Sequence, residues 1–124
     1  KDGITFAPCA TNQFVNNLIY LDTTTVWITV NVGSNTDAAS FTFANNLWFA
    51  KDRPDRSRPA FPATETNGIY GLDPKFKNAA GGDYELSSQS PAAGKGLKVA
   101  SPRADLKDRC FGEPRSIGAL EVER

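Results

Sequence analysis

The sequence predicts an all-β chain built from stacked strand–corner–strand units, and three observations carry that prediction. The stretch FVNNLIYL (residues 14–21) returns as FANNLWFA (43–50), 29 positions later, with Phe, Asn-Asn and Leu in the same places. A fixed period of this kind marks repeats in which each turn of chain lies on the one before. TVWITVNV (25–32) alternates strictly, setting Val26, Ile28, Val30 and Val32 on one face and Trp27, Thr29 and Asn31 on the other. That is the period of a strand with one buried face. No stretch carries apolar residues at a helical period of 3.6, so almost no helix is expected.

Within each repeat the Asn pair explains the corner. Asn tolerates the left-handed backbone region better than other residues with a side chain, so Asn-Asn between two β-favouring triplets reads as a sharp bend. Phe14 over Phe43 and Leu18 over Leu47 are expected to build interior columns. One Asn pair, Asn17/Asn46 or else Asn16/Asn45, is expected to form a hydrogen-bonded ladder at the corner. The strand at 25–32 stops at GSNTDAAS (33–40), which is polar and turn-forming. Residues 1–50 therefore read as repeat units. Residues 51–68, with Pro54, Pro59 and Pro62 among many charges, read as an exposed excursion in which a central strand is excluded. Residues 69–124 return in short β-like pieces broken by Gly, Pro, Asn and Ser, and read as a closing cap.

Composition narrows the chemistry. Lys plus Arg and Asp plus Glu number 14 each, so the formal net charge is zero and a nucleic-acid partner gains no support. No apolar run approaches the roughly 20 residues needed to span a bilayer. The chain holds no His and no Met and begins at Lys1, so it reads as a processed or trimmed piece. Without His, neither a Ser-His-Asp nor a Cys-His arrangement nor a His-ligated zinc can form within the chain. Two cysteines cannot make a four-cysteine metal site, and no cofactor is expected here. Cys9 and Cys110 suit a disulfide in an oxidising compartment. The alternative is two unrelated buried thiols.

Two segments of the second half carry a resemblance. LDPKFKNAAGGDYELSSQSPAAGKG (72–96) contains Asp-Pro-x-Phe, then Gly-Asp-aromatic-x-Leu, then Ser-Pro-Ala, and DLKDRCFGEPRSIGALE (105–121) contains Gly-x-Pro-Arg followed by Ile-Gly-Ala and an acidic residue. Together they resemble the carboxyl-terminal end of right-handed parallel β-helix proteins of the pectate-lyase-like kind. The tail is most similar to that of polysaccharide lyases of the chondroitinase B and alginate lyase type. The resemblance implies the last coils of a right-handed parallel β-helix followed by a loop-rich cap, in a secreted, periplasmic or cell-surface protein. It implies preceding coils of the same protein as the partner of these residues. It also implies β-elimination on an acidic polysaccharide by a Lys base and an Arg beside calcium, all on coils upstream. No segment of this chain matches that constellation, so no catalytic residue is carried over.

Within the chain, Lys51, Arg53, Arg56 and Arg58 against Asp52 and Asp55 leave a local cationic surplus. Arg suits bidentate contact with carboxylates or sulfates of an acidic sugar, and Trp48, Phe49 and Phe61 nearby could offer a stacking surface. The competing reading is a solvated loop with internal ion pairs. Asp73 and Asp83 match no metal loop and read as turn caps rather than calcium ligands. Two functions follow: the end of a carbohydrate-active enzyme, or a non-catalytic surface or adhesion protein whose cap is structural.

Overall fold

The computed structural model describes residues 7–26 and 30–123. Its elements are eight short strands and three single turns of 3-10 helix, with no α-helix among the described residues. The strands are β1 (Gln13–Val15), β2 (Leu18–Leu21), β3 (Thr42–Ala44), β4 (Leu47–Ala50), β5 (Glu65–Thr66), β6 (Ile69–Tyr70), β7 (Phe76–Asn78) and β8 (Asp83–Leu86). They form two three-stranded parallel sheets, β1-β3-β5 and β2-β4-β6, and one antiparallel pair, β7-β8. The chain is all-β, as its sequence predicts.

The repeated letters fall in register. Phe14 pairs with Phe43, Leu18 with Leu47, Ile19 with Trp48 and Tyr20 with Phe49. A third unit follows, because Phe43 pairs with Glu65 and Leu47 with Ile69. Glu65 and Thr66 therefore lie in a strand, although residues 51–68 read in sequence as an excursion outside the repeats. Ser57 and Pro59 are also buried in that segment, and the Ser57 hydroxyl accepts from the Ala50 amide of the second unit.

Each corner is made by Asn in the left-handed region: Asn16 at φ 60°, Asn45 at 52° and Asn67 at 54°. The side chains of the first two reach the tail. Asn16 donates to the Leu97 carbonyl at 2.8 Å and accepts from the Leu97 amide at 2.6 Å, and Asn45 donates to the Lys95 carbonyl at 2.8 Å. The following Asn forms the ladder. Asn46 is fully buried, and its Oδ1 accepts from both the amide and Nδ2 of Asn17, at 2.8 and 2.9 Å.

The two expected columns serve two separate apolar surfaces. Phe14 and Phe43 join Trp48 and Phe61 in an aromatic cluster with ring centroids 5.4–5.9 Å apart. Leu47 and Phe49 instead pack against Leu86, Ala92 and Ile117 of the tail, with Leu18, Tyr20 and Ile69 around them. Residues 72–122 thus lie along the side of the second sheet.

The tail is held by two buried carboxylates. Asp105 accepts from the amides of Lys107, Arg109 and Glu121 and from Nε of Arg109, all within 2.8–3.0 Å. Glu121 accepts from the Gly112 and Ser116 amides and the Ser116 hydroxyl. The motif DLKDRCFGEPRSIGALE is in physical terms a pair of carboxylates satisfying the amides of an otherwise irregular buried backbone.

Two expectations are corrected. Cys9 and Cys110 form no disulfide; both are free and exposed. Cys9 bridges Thr36 beside the first unit and Cys110 bridges Ala104 in the tail, so different neighbours hold their backbones. The strand expected at 25–32 is absent wherever it is described: Thr25, Val26 and residues 30–32 lie in no strand, and Val26 and Val32 are 57% and 39% exposed. Its centre, Trp27, Ile28 and Thr29, lies outside the described residues. Alternation needs a neighbouring surface to bury against, and here Val30 is only partly buried while Val26 and Val32 stand exposed.

Candidate functional site

The cationic segment begins where β4 ends. Lys51 pairs with Asp22 of the first unit at 3.3 Å. Asp52 accepts from the Thr23 amide at 2.8 Å and from the Thr23 hydroxyl. Hydrogen bonds from Thr24 to Asp22 and from Thr23 to Asp52 hold both carboxyls below their ordinary range. Lys51 and Asp52 therefore tie successive units together. The other cations are presented differently.

Arg53 precedes a 3-10 turn over Pro54–Arg56, whose carbonyl–amide bonds run from Ala50 to Arg53 and from Pro54 to Ser57. The Ser57 hydroxyl accepts from the Ala50 amide at 3.0 Å and pins the turn to β4. Beneath it, Gly71 has φ +70°, and a side chain there would meet the Pro54 carbonyl at 2.5 Å. A residue other than Gly would push the turn away. Arg53 and Arg56 thus stand exposed on a well-anchored turn, and their guanidinium groups have no partner among the described residues.

Arg58 lies over the Tyr70 ring, 5.0 Å from its centroid. This cation–π contact holds the guanidinium against the ring while leaving its edge toward solvent. Tyr70 in turn donates its hydroxyl to Glu65 and packs edge-on against Phe61 at 6.3 Å. Burial, and then the hydrogen bond and charge of Glu65, push the Tyr70 hydroxyl above its ordinary value. It stays protonated at neutral pH, so it can donate a hydrogen bond but cannot serve as a general base.

The four predicted cations, Lys51, Arg53, Arg56 and Arg58, share one segment and divide into two roles. Lys51 is structural, and the three arginines face outward. Sequence reading misses Tyr70 and Glu65. Setting ETNGIYG (65–71) beneath FANNLWF would place Tyr70 under Trp48 and next to this surface. Trp48 and Phe49, expected to offer a stacking surface, are instead core residues at 5% and 6% exposure.

No group of three or more potential metal ligands occurs among the described residues. Asp73 and Asp83 each accept the amide two residues on, at 2.8 and 3.0 Å, which is turn capping. No helix among the described residues is long and apolar enough to cross a membrane. Comparison with protein-family models, with characterised proteins and with solved structures returned no match. What the arrangement can do chemically is hold anions: three arginines, two unpaired and one set against an aromatic ring.

Proposed function

We propose that this chain is the closing portion of a right-handed parallel β-helix, in a secreted, periplasmic or cell-surface protein that acts on acidic polysaccharide. The observation that carries the reading is the stack of three strand–Asn–strand units in parallel register, joined through Asn17 and Asn46. Units of this kind gain stability from their neighbours on both sides. Among the described residues β1 has no strand beyond β3, Phe14 is 37% exposed, and Asn17 Oδ1 accepts from nothing. A preceding coil of the same protein, bringing an amide donor and an apolar side chain, would complete all three. The reaction centre belongs on those preceding coils, and Arg53, Arg56 and Arg58 extend the polyanion's contact surface toward this end.

Retention of the 124-residue chain on immobilised alginate and chondroitin sulfate tests the reading. The parent chain should be retained at low salt and released as salt screens the contact. Replacing Arg53, Arg56 and Arg58 together by Ser should reduce retention while leaving thermal stability nearly unchanged, since exposed charges contribute little to folding. Equal retention of both proteins removes the loop from the contact. Complete absence of retention favours the second reading, a non-catalytic surface β-helix with a purely structural cap. The engagement of Lys51 with Asp22 and of Asp52 with Thr23 favours that second reading.

A further inference from the structure

The tail holds a second cationic surface, separate from the arginine loop. An open groove of about 650 Å³ runs between residues 96–103 and 111–115. Its cations are Lys98, Arg103 and Arg115, and its one carboxylate, Glu113, is engaged by Lys98 at 2.9 Å. Arg103 is exposed and its guanidinium has no partner among the described residues. Arg115 is the less ordinary member. It is 7% exposed, lies over the Phe111 ring at 3.4 Å, and donates from Nη1 to the Pro102 carbonyl at 3.3 Å. Its Nε is buried with no hydrogen-bond partner among the described residues. A buried, incompletely paired guanidinium is costly unless something supplies negative charge. Burial draws its pKa below the ordinary value, and the charge of Glu121 offsets this only in part.

The geometry points to this groove as a binding site for the carboxylate of an acidic sugar, with Arg103 making the direct charge-assisted contact and Arg115 supplying the fixed positive field behind it. The proposal deepens the acidic-polysaccharide reading and rests on it. Arg103 offers the planar fork that matches a carboxylate. Arg115, clamped on Phe111, needs no ordering when the ligand arrives, so little conformational freedom is lost on binding. Phe111 and Pro102 give the groove an apolar wall against which the C–H face of a pyranose can lie.

The decisive experiment is a titration of the ¹⁵N-labelled chain with trigalacturonate, with inorganic sulfate and maltotriose as companion probes. Trigalacturonate should shift the amides of Val99, Ala100 and Gly112, maltotriose should not, and sulfate should do so only at far higher concentration. Arg103→Ala, a change at an exposed and unpartnered side chain, should weaken trigalacturonate about tenfold, as loss of a hydrogen bond to a charged group does. Shifts confined to residues 53–58 and indifferent to Arg103→Ala would overturn the groove while leaving the acidic-sugar reading intact. Equal potency of sulfate would overturn the sugar assignment and leave a bare anion site. Absence of any shift with trigalacturonate would overturn both.

Discussion

Glu65 Oε1 accepts from Nδ2 of Asn46 at 2.6 Å, and so occupies the place where a third corner amide would stand. The unit above supplies Asn17 to Asn46; the unit below supplies a carboxylate from the preceding strand instead. Gly68 is what makes this possible. A side chain there would meet Glu65 Oε2 at 2.6 Å and would collide with the Tyr70 hydroxyl. The ladder therefore ends at Glu65, which also accepts from Trp48 Nε1 at 3.2 Å.

Asn46→Ala should be the most damaging of the corner changes. Asn46 serves the Asn17 amide and side chain, the Phe14 carbonyl and Glu65, and it is fully buried. The expected loss is about 3 kcal/mol, the upper part of the range for leaving buried polar groups unsatisfied. Asn17→Ala, at a half-buried site, should lose about 1 kcal/mol. Urea denaturation midpoints read the difference, and equal midpoints for parent and Asn46→Ala would refute the ladder. Gly68→Ala should also destabilise, and less so when Tyr70 is replaced by Ala, because the obstructing ring is then gone.

Much of this architecture is legible in the residues and part is not. The 29-residue repeat predicts the parallel register of Phe14 with Phe43 and Leu18 with Leu47, because letters that recur at a fixed interval occupy equivalent positions in a stack. The third unit is hidden because its interval is shorter and because Glu65 and Gly68 replace Phe and Asn at the informative places. The split of Phe43 and Leu47 onto separate apolar surfaces depends on where the tail lies. That is set by contacts between Leu47, Leu86 and Ile117 far apart in the chain, which no local pattern encodes. The arginine loop is visible as charge; the Tyr70 ring beneath Arg58 is not.

Acid should unlock the tail. Burial pushes the Asp105 carboxyl upward, but the amides of Glu121, Arg109 and Lys107 together with the Arg109 guanidinium outweigh it and hold it at about 2, against an ordinary 3.8. A carboxyl depressed in the folded state adds stability above its unfolded value, and that stability is lost as pH falls through the folded one. Stability should therefore be flat from pH 7 down to about 5 and fall between about 4 and 2. Glu121 is also depressed, burial being outweighed by bonds from Ser116 and Gly112, so it acts in the same direction. Asp105→Asn should be destabilised at pH 7 and show a shallower fall across that window. Parallel pH profiles for parent and variant would remove Asp105 from the lock.

Both thiols should be open to reagent in the native state. Cys9 and Cys110 are exposed and unbridged, with Cys9 Sγ only accepting from Asn12 Nδ2 at 3.1 Å. Ellman's reagent should titrate two thiols per chain without denaturant, and reduction should leave the intact mass unchanged. A gain of two hydrogens on reduction would show that the cysteines are bridged after all.

The edge strand β1 decides how the isolated chain behaves. Its outer side has no partner among the described residues, and Phe14 stands 37% exposed above Trp48, 5.8 Å between ring centroids. An unpaired strand edge with an uncovered aromatic recruits further strands, and nothing charged on β1 opposes this, since Gln13, Phe14 and Val15 are all neutral. At the other end β5 and β6 are two residues each, and Glu65 and Gly68 close the ladder. Association should therefore be one-sided. Sedimentation velocity of the 124-residue chain should show a weight-average coefficient that rises with concentration and stops near dimer rather than growing into fibres. Phe14→Lys should abolish the rise, because a charge at the edge blocks addition. A concentration-independent monomer with sharp thermal unfolding would mean that the first unit is already complete, and that no preceding coil is needed to cover it.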